Sequence, residues 1–286
     1  MADEPFKTLL TGLAFGESPR WHNGRLWVAD WSAHELVTVD PDGNRAVNLR
    51  VPFAPFTFSI DWLPDGRLLI VSGGAQPLLR QEPDGSLVPH ADLAALDATG
   101  WNEIVVDGRG NAYCDFVGFN LMTGEPPAPG SIALARPDGS AQVVADGLMF
   151  PNGMAVTADG GTLIVAESYA NQLTAFDIAE SGELTNRRIW ARLGDDHPDG
   201  ICIDAQGAVW FADVSNKHCV RVREGGEVLQ TVSADRGCFA CTLGGEDGRI
   251  LFIVTNEWHG PQAVSEGILA SQVITAQAPS SRSGRP

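Results

Sequence analysis

A short hairpin recurs along this chain at a period that few folds can accommodate. Its clearest copy runs Phe150-Pro151-Asn152-Gly153-Met154-Ala155-Val156-Thr157-Ala158-Asp159-Gly160-Gly161-Thr162-Leu163-Ile164-Val165-Ala166-Glu167. An apolar run, an Asp-Gly-Gly turn and a second apolar run read as a β-hairpin, with the polar Asn152 at its mouth. Five further copies turn at Gly24, Gly66, Gly110, Gly207 and Gly248, and together with Gly161 these glycines stand 41 to 51 residues apart. That is the length of a four-stranded propeller blade rather than of a helical repeat. A second punctuation, Pro41-Asp42-Gly43, Pro83-Asp84-Gly85 and Pro137-Asp138-Gly139, follows its hairpin by about half a period. The pattern predicts an all-β fold, a six-bladed β-propeller.

A closed ring of blades is one cooperative body, so the 286 residues predict a single domain over 1–276 rather than two. Phe6 to Leu10 have strand character but no blade of their own. They are expected to pair beside Ile268 to Thr275 as the outer strand of the last blade, which closes the ring and removes a free sheet edge. Residues 277–286 lack apolar periodicity and are expected to form a disordered tail. The Pro-rich insert Asn120 to Gly130 is long enough to overhang one end of the ring.

Nineteen basic against 36 acidic residues leave a formal charge of -17, which repels phosphate backbones and anionic lipids and excludes nucleic-acid and membrane partners from the expectation. With Asp3 and Glu4 near the start and no long apolar run, the chain reads as cytoplasmic, a monomer or small homo-oligomer. The five cysteines are odd in number and scattered through strands. Even Cys238-Phe239-Ala240-Cys241 reads as buried thiols rather than as a zinc or redox pair, because it opens the inner strand of the last blade.

The first strand of each propeller blade lines the central channel, so residues at its head converge from different directions. Counting back from the turns places Glu17, Ser59 or Asp61, Asn102, Asn152, Asp199, and Cys238 or Phe239 at the six heads. Taken alone, an Asn or Asp beside Gly is a turn residue; the same position recurring at four heads is a constellation. Glu17, Asn102, Asn152 and Asp199 would offer two negative charges and two amide oxygens, a donor set for a metal ion in the channel. Ca²⁺ suits it first, Mg²⁺ or Mn²⁺ also, with Zn²⁺ less selected by all-oxygen ligands. Asp30, Asp115, Glu167 and Asp213 recur at the ends of second strands and read as hydrogen-bond acceptors for neighbouring loops or blades.

Gly16-Glu17-Ser18-Pro19-Arg20-Trp21, Pro151-Asn152-Gly153 and Pro198-Asp199-Gly200, in this order and spacing, resemble the family of senescence marker protein (regucalcin), gluconolactonase and luciferin-regenerating enzyme. The resemblance covers nearly the whole chain and implies one catalytic divalent metal in the channel. It makes Glu17, Asn152 and Asp199 metal ligands and Asn102 the fourth ligand or a substrate contact. The implied reaction is metal-assisted lactone hydrolysis, with Asp199 as the base that takes the proton of the attacking water and His197 as its competitor; His259 is a weaker candidate. Members that act on sugar lactones often carry Arg two residues before the Asn, where this chain has Gly100. By position, Trp101, Asn102, Phe119, Met149, Phe150, His197 and Phe239 are candidates for contact with the lactone, and the apolar character of Trp101, Phe119, Met149, Phe150 and Phe239 favours an alkyl or aromatic one. The alternatives are an organophosphate hydrolase resembling diisopropyl fluorophosphatase and a calcium-binding propeller without turnover.

Overall fold

The computed structural model describes residues 6–52, 54, 57–74, 76–96, 100–260 and 270–286. Its strands fall into six antiparallel sheets. Blade one is Gly16–His22, Arg25–Asp30, Glu35–Val39 and Arg45–Arg50, and blade two is Phe58–Trp62, Leu68–Ser72, Leu78–Gln81 and Leu87–Ala91. Blade three is Ile104–Val106, Ala112–Phe116, Gly130–Ala135 and Ala141–Leu148; blade four is Pro151–Val156, Thr162–Glu167, Gln172–Ile178 and Leu184–Arg192. Blade five is Pro198–Asp204, Val209–Asp213, His218–Val222 and Val228–Ser233. Blade six is Gly237–Gly244, Ile250–Asn256 and Ser271–Gln277, completed by the N-terminal strand Lys7–Leu13.

The first strands of consecutive blades touch one another around a closed circle, the last meeting the first. Closure depends on the N-terminal strand, which pairs antiparallel with Ser271–Gln277, Lys7 opposite Thr275 and Leu13 opposite Ser271. This is the pairing anticipated from Phe6 to Leu10; residues 268 and 269 of the expected partner strand lie outside the described residues. The tight turns carry a left-handed glycine at Gly24, Gly66, Gly110, Gly207 and Gly248, and in blade four this residue is Gly160 rather than Gly161.

The apolar interior is divided into six clusters, one at each junction between blades. Between blades four and five, for example, Ile164, Leu173 and Trp190 meet Ile201, Val209 and Phe211. Strands two deep in the sheet are apolar on both faces because each blade is covered on both sides, which explains near-continuous runs such as Leu68–Ser72, all buried. Burying a side chain of this size contributes roughly 1.5–3 kcal/mol, so the junctions hold the ring together. No helix among the described residues is long and apolar enough to cross a membrane.

The expectation of a disordered tail over 277–286 is overturned. Arg282–Ser283 form a short strand on the edge of the inner strand of blade five, Ile203 opposite Ser283. Arg285 exchanges both backbone hydrogen bonds with Val156 of blade four. The Arg282 Nη1 donates to Trp21 O of blade one at 2.6 Å, and the Arg285 Nη1 reaches Trp62 O of blade two at 3.5 Å. Arg282 N and Ala278 N donate to Gly248 O and Arg249 O of blade six. The segment thus spans the lower ends of the inner strands of four blades and the inner hairpin turn of a fifth. It needs no apolar periodicity, because backbone groups and guanidinium donors supply its contacts, and Ala278 and Ser280 are nonetheless buried. Deleting residues 278–286 should lower Tm by about 5 °C, the shift expected for losing about 2 kcal/mol in a domain of this size. Thermal unfolding followed by circular dichroism checks this, and an unchanged Tm would show that the strap contributes nothing to the ring.

Candidate functional site

At the other end of the channel, the carboxylates at the ends of second strands fix how the chain enters each inner strand. Asp30 accepts hydrogen bonds from the backbone N–H of Ala14 (3.0 Å) and Phe15 (2.9 Å), just before Glu17. Asp115 accepts from Glu103 N at 3.0 Å, beside Asn102. Glu167 accepts from Met149 N at 2.8 Å, ahead of Asn152, and Asp213 from His197 N at 2.7 Å, ahead of Asp199. These are the acceptor roles anticipated for the recurring acids. Blades two and six, whose second strands end in Ser72 and Asn256, contribute no such acid.

The donor residues lie where the inner hairpins are irregular. Pairing slips between Glu17 and Arg20, between Pro151 and Met154, and between Pro198 and Ile201. A bulge re-aims the side chain it carries, and here it leaves Glu17, Asn152 and Asp199 at the channel. The glycines that follow are not turn residues. A Cβ on Gly153 would lie 2.6 Å from Asp199 O, and one on Gly200 would lie 2.5 Å from the Ala240 Cβ, so these inner strands approach too closely for any other residue.

Glu17, Asn102, Asn152 and Asp199 line one cavity of about 660 Å³. The Asn102 Nδ2 is 3.5 Å from the Asn152 Oδ1, and the Asn152 Nδ2 is 3.4 Å from the Ser168 Oγ, which in turn donates to Pro198 O at 2.7 Å. Burial pushes Glu17 well above the usual carboxylate range, and the charges of Asp199 and Glu103 push it further. Burial, then Glu103 and Asp213, do the same to Asp199. Two buried acids that repel one another this way are relieved by a cation between them. The amides fit the same requirement. The Asp115 carboxylate, buried beside Asn102, draws the Asn102 NH₂, which leaves that carbonyl oxygen for a metal, as Ser168 does for Asn152. The donor set therefore fits a hard divalent cation.

Above these oxygens the cavity is aromatic on two sides. Phe15 stacks on Trp31 with centroids 5.4 Å apart and meets Phe239 edge-on at 5.1 Å, with Trp258 5.7 Å from Phe239. Across the mouth, Phe150 lies 4.6 Å from Tyr169 and 5.7 Å from Phe119. Trp101 also lines the cavity, its Nε1 tied to Leu93 O at 3.3 Å, and so does His197. Of the anticipated contact residues, Met149 is the exception and does not line the cavity. Phe150 adopts a left-handed φ of 55°, which turns the chain there, and Met149 is held by Glu167 and by Tyr169 N instead. Tyr169 stands where Met149 was expected.

Phe15, Trp31, Ser168, Tyr169, Trp258 and Glu103 were not anticipated. The signal was present: most follow the residue that ends a second strand, so the same period that located the donors also locates these wall residues. Gly100 has its own constraint. With φ at 121°, its Cβ would sit 2.4 Å from Gly74 N, where Gly100 bridges Gly73. An Arg at this position would need a different backbone.

Ser59 and Asp61 of blade two lie deeper. The Ser59 Oγ donates to the Glu103 Oε1 at 3.0 Å, and the Asp61 Oδ2 accepts from Val106 N at 2.6 Å. The His197 Nδ1 is 3.1 Å from Ser168 O, which holds the ring at the rim. His259 lies exposed beside Glu257, outside the cavity lining. Asp196, Asp213 and His218 bring ligand atoms within 4.8 Å of one another, but Asp213 is already saturated by His197 N, Asn216 N and the Asn216 Nδ2. Cys238 and Cys241 are buried free thiols; burial pushes Cys238 up to about 12 and Cys241 well above the usual thiol range, as inert core residues require.

The chain is 28% identical over 272 residues to regucalcin of Xenopus laevis, covering 88% of this chain and 89% of that protein. It is 26% identical to the 6-deoxy-6-sulfogluconolactonase of Pseudomonas putida, covering 84% and 83% of the two chains. A gluconolactonase from Xanthomonas campestris has the same fold, with a TM-score of 0.78 at 24% identity over 97% of this chain and 91% of the other. The model of the SMP-30/Gluconolactonase/LRE-like region matches residues 15–257. With that match spanning all six blades and carrying every donor of the channel mouth, this chain belongs to the SMP-30/gluconolactonase/LRE-like family.

Proposed function

We propose that this protein is a divalent-metal-dependent lactonase, with calcium the favoured ion, that opens an apolar cyclic ester to its hydroxy acid. One observation carries the reading: four oxygen donors from four blades meet at the floor of a cavity whose walls are aromatic. Glu17, Asn102, Asn152 and Asp199 would hold the ion. When bound, it would polarise the lactone carbonyl and offset the charge that grows on its oxygen as water adds.

The protein's own groups supply the remainder. Asp199 takes the proton from water as the new C–O bond forms, and returns it to the ring oxygen as the ester bond breaks. An ordinary carboxylate is a weak base; without the ion, burial beside Glu103 and Asp213 raises Asp199 above its ordinary range, and when bound the ion would lower it again while making the attacking water more acidic, so the transfer needs one Asp199 oxygen free of the ion. Phe15, Trp31, Phe239 and Trp258 on one side and Phe119, Phe150 and Tyr169 on the other exclude water and clamp a flat or alkyl ring. Among the described residues, the wall at Gly73, Gly74 and Gly100 offers no guanidinium to hydroxyls or a carboxylate, which favours an apolar lactone over a heavily hydroxylated one. Relatives named for sugar lactones support lactone hydrolysis as the reaction class.

The protein stripped of metal should be inactive and regain turnover when Ca²⁺, Mg²⁺, Mn²⁺ or Zn²⁺ is added singly, with kcat/KM higher for dihydrocoumarin than for gluconolactone. A preference for gluconolactone would overturn the substrate class, and turnover of a phosphotriester alone would overturn the reaction. Asp199→Asn should lower kcat by about 10³-fold while calorimetry still detects weakened metal binding; full activity would remove Asp199 from the role of base.

The raised acids also set a pH dependence. Their folded values lie above the ordinary 4.5 of Glu17 and 3.8 of Asp199, so the stability they contribute is complete below those values and is lost as pH rises through the folded ones. Tm of the metal-free protein should therefore fall over the interval above about pH 5, and saturating Ca²⁺ should flatten the decline. A metal-free Tm that rises across this interval would contradict the pairing of these two acids.

A further inference from the structure

The carboxylate of Glu103 and the guanidinium of Arg20 lie against the donor set without belonging to it. Glu103 lines the cavity and is buried. Both of its oxygens are engaged: Oε1 accepts from the Ser59 Oγ at 3.0 Å, and Oε2 from the Arg20 Nη2 at 3.2 Å and from Ile104 N at 3.4 Å. Arg20 is equally buried, and its Nη2 also donates to Ile104 O at 2.8 Å and its Nη1 to Pro19 O at 3.1 Å. The guanidinium therefore spans from blade one to blade three. Glu17 and Asp61 both feel its charge, and both Glu17 and Asp199 feel the charge of Glu103.

Resting on the reading that Glu17, Asn102, Asn152 and Asp199 hold a cation, we infer that Arg20 is a positioning residue that sets the cation affinity of the site. It pins Glu103 away from the ion and offsets its charge in part, so that the ion meets the charges of Glu17 and Asp199 in full and that of Glu103 weakened. The physical reason is Coulombic. In a buried site a unit charge several ångströms from a divalent ion changes its binding by an order of magnitude or more. A guanidinium that does nothing but tie two blades together would be indifferent to the ion. One that balances Glu103 trades affinity for release, keeping the ion from being held by three carboxylates while preserving a polar floor under the substrate.

The test is a double-mutant cycle read by calorimetric titration with Ca²⁺ alone, without any substrate. Arg20→Gln should bind Ca²⁺ about tenfold more tightly than the parent protein, Glu103→Gln about tenfold more weakly, and the double variant should return to within about threefold of the parent. The opposite signs separate the inference from a structural role, which would weaken binding in both single variants and leave the double variant no better. If Arg20→Gln alone does not fold, the comparison of Glu103→Gln with the double variant decides. Recovery of affinity in the double variant upholds the inference, and no recovery overturns it. Absence of Ca²⁺ binding by the parent protein would overturn the metal reading itself, a result distinct from binding that fails to split by sign.

Discussion

The carboxylate at the end of a second strand, accepting the N–H groups that lead into the neighbouring inner strand, is the contact on which the channel mouth depends. It occurs through Asp30, Asp115, Glu167 and Asp213, in the blades that supply Glu17, Asn102, Asn152 and Asp199. An inner strand alone would be free to slide or to begin one residue earlier, and a one-residue slip sends every side chain to the opposite face. A buried acceptor holding one or two amides at its head removes that freedom. Charge-assisted hydrogen bonds of this kind contribute more than neutral ones, and they are made where the sheet is otherwise interrupted by bulges. The cost is a set of buried negative charges around an already acidic centre, visible in the upward shift of Asp115 by burial.

That cost and the function of the site are linked. The acids that organise the mouth, together with Glu17, Glu103 and Asp199, concentrate negative charge where Arg20 is the nearby cation acting on Glu17. A cation site needs such an arrangement held apart before the ion arrives, and the propeller does this by fixing each group on a different blade. The aromatic walls then give the same cavity two chemistries: a polar floor that suits a carbonyl and water, and sides that suit an apolar ring. The strap formed by residues 278–286 crosses the inner strands at the end away from the donors.

Much of this was legible in the sequence because it is repeated. One Asn-Gly is uninformative, but Asn152-Gly153 and Asp199-Gly200 at the same place in successive hairpins are not, and the structure shows why the glycine recurs: the strands meet backbone to backbone. The closing strand was legible for a related reason, since a ring with one blade short of a strand must find it at the other terminus. What was not legible lacks periodicity. The tail carries no apolar pattern, and its partners are carbonyls of inner strands far away in sequence. Tyr169 and Met149 are close in the fold but distinguishable only through the left-handed turn at Phe150. The pairing of Arg20 with Glu103 joins residues on different blades, and nothing in either local sequence announces it.

The central claim is that Glu17, Asn102, Asn152 and Asp199 form one cation site. Crystals grown with Mn²⁺, examined by anomalous scattering at the manganese edge, test it directly. One strong peak is expected at the channel mouth, within about 2.5 Å of an oxygen from each of the four side chains. A peak at Asp196, Asp213 and His218 with none at the channel mouth, or a channel ion contacted by Glu103 in place of Asn102, would contradict it.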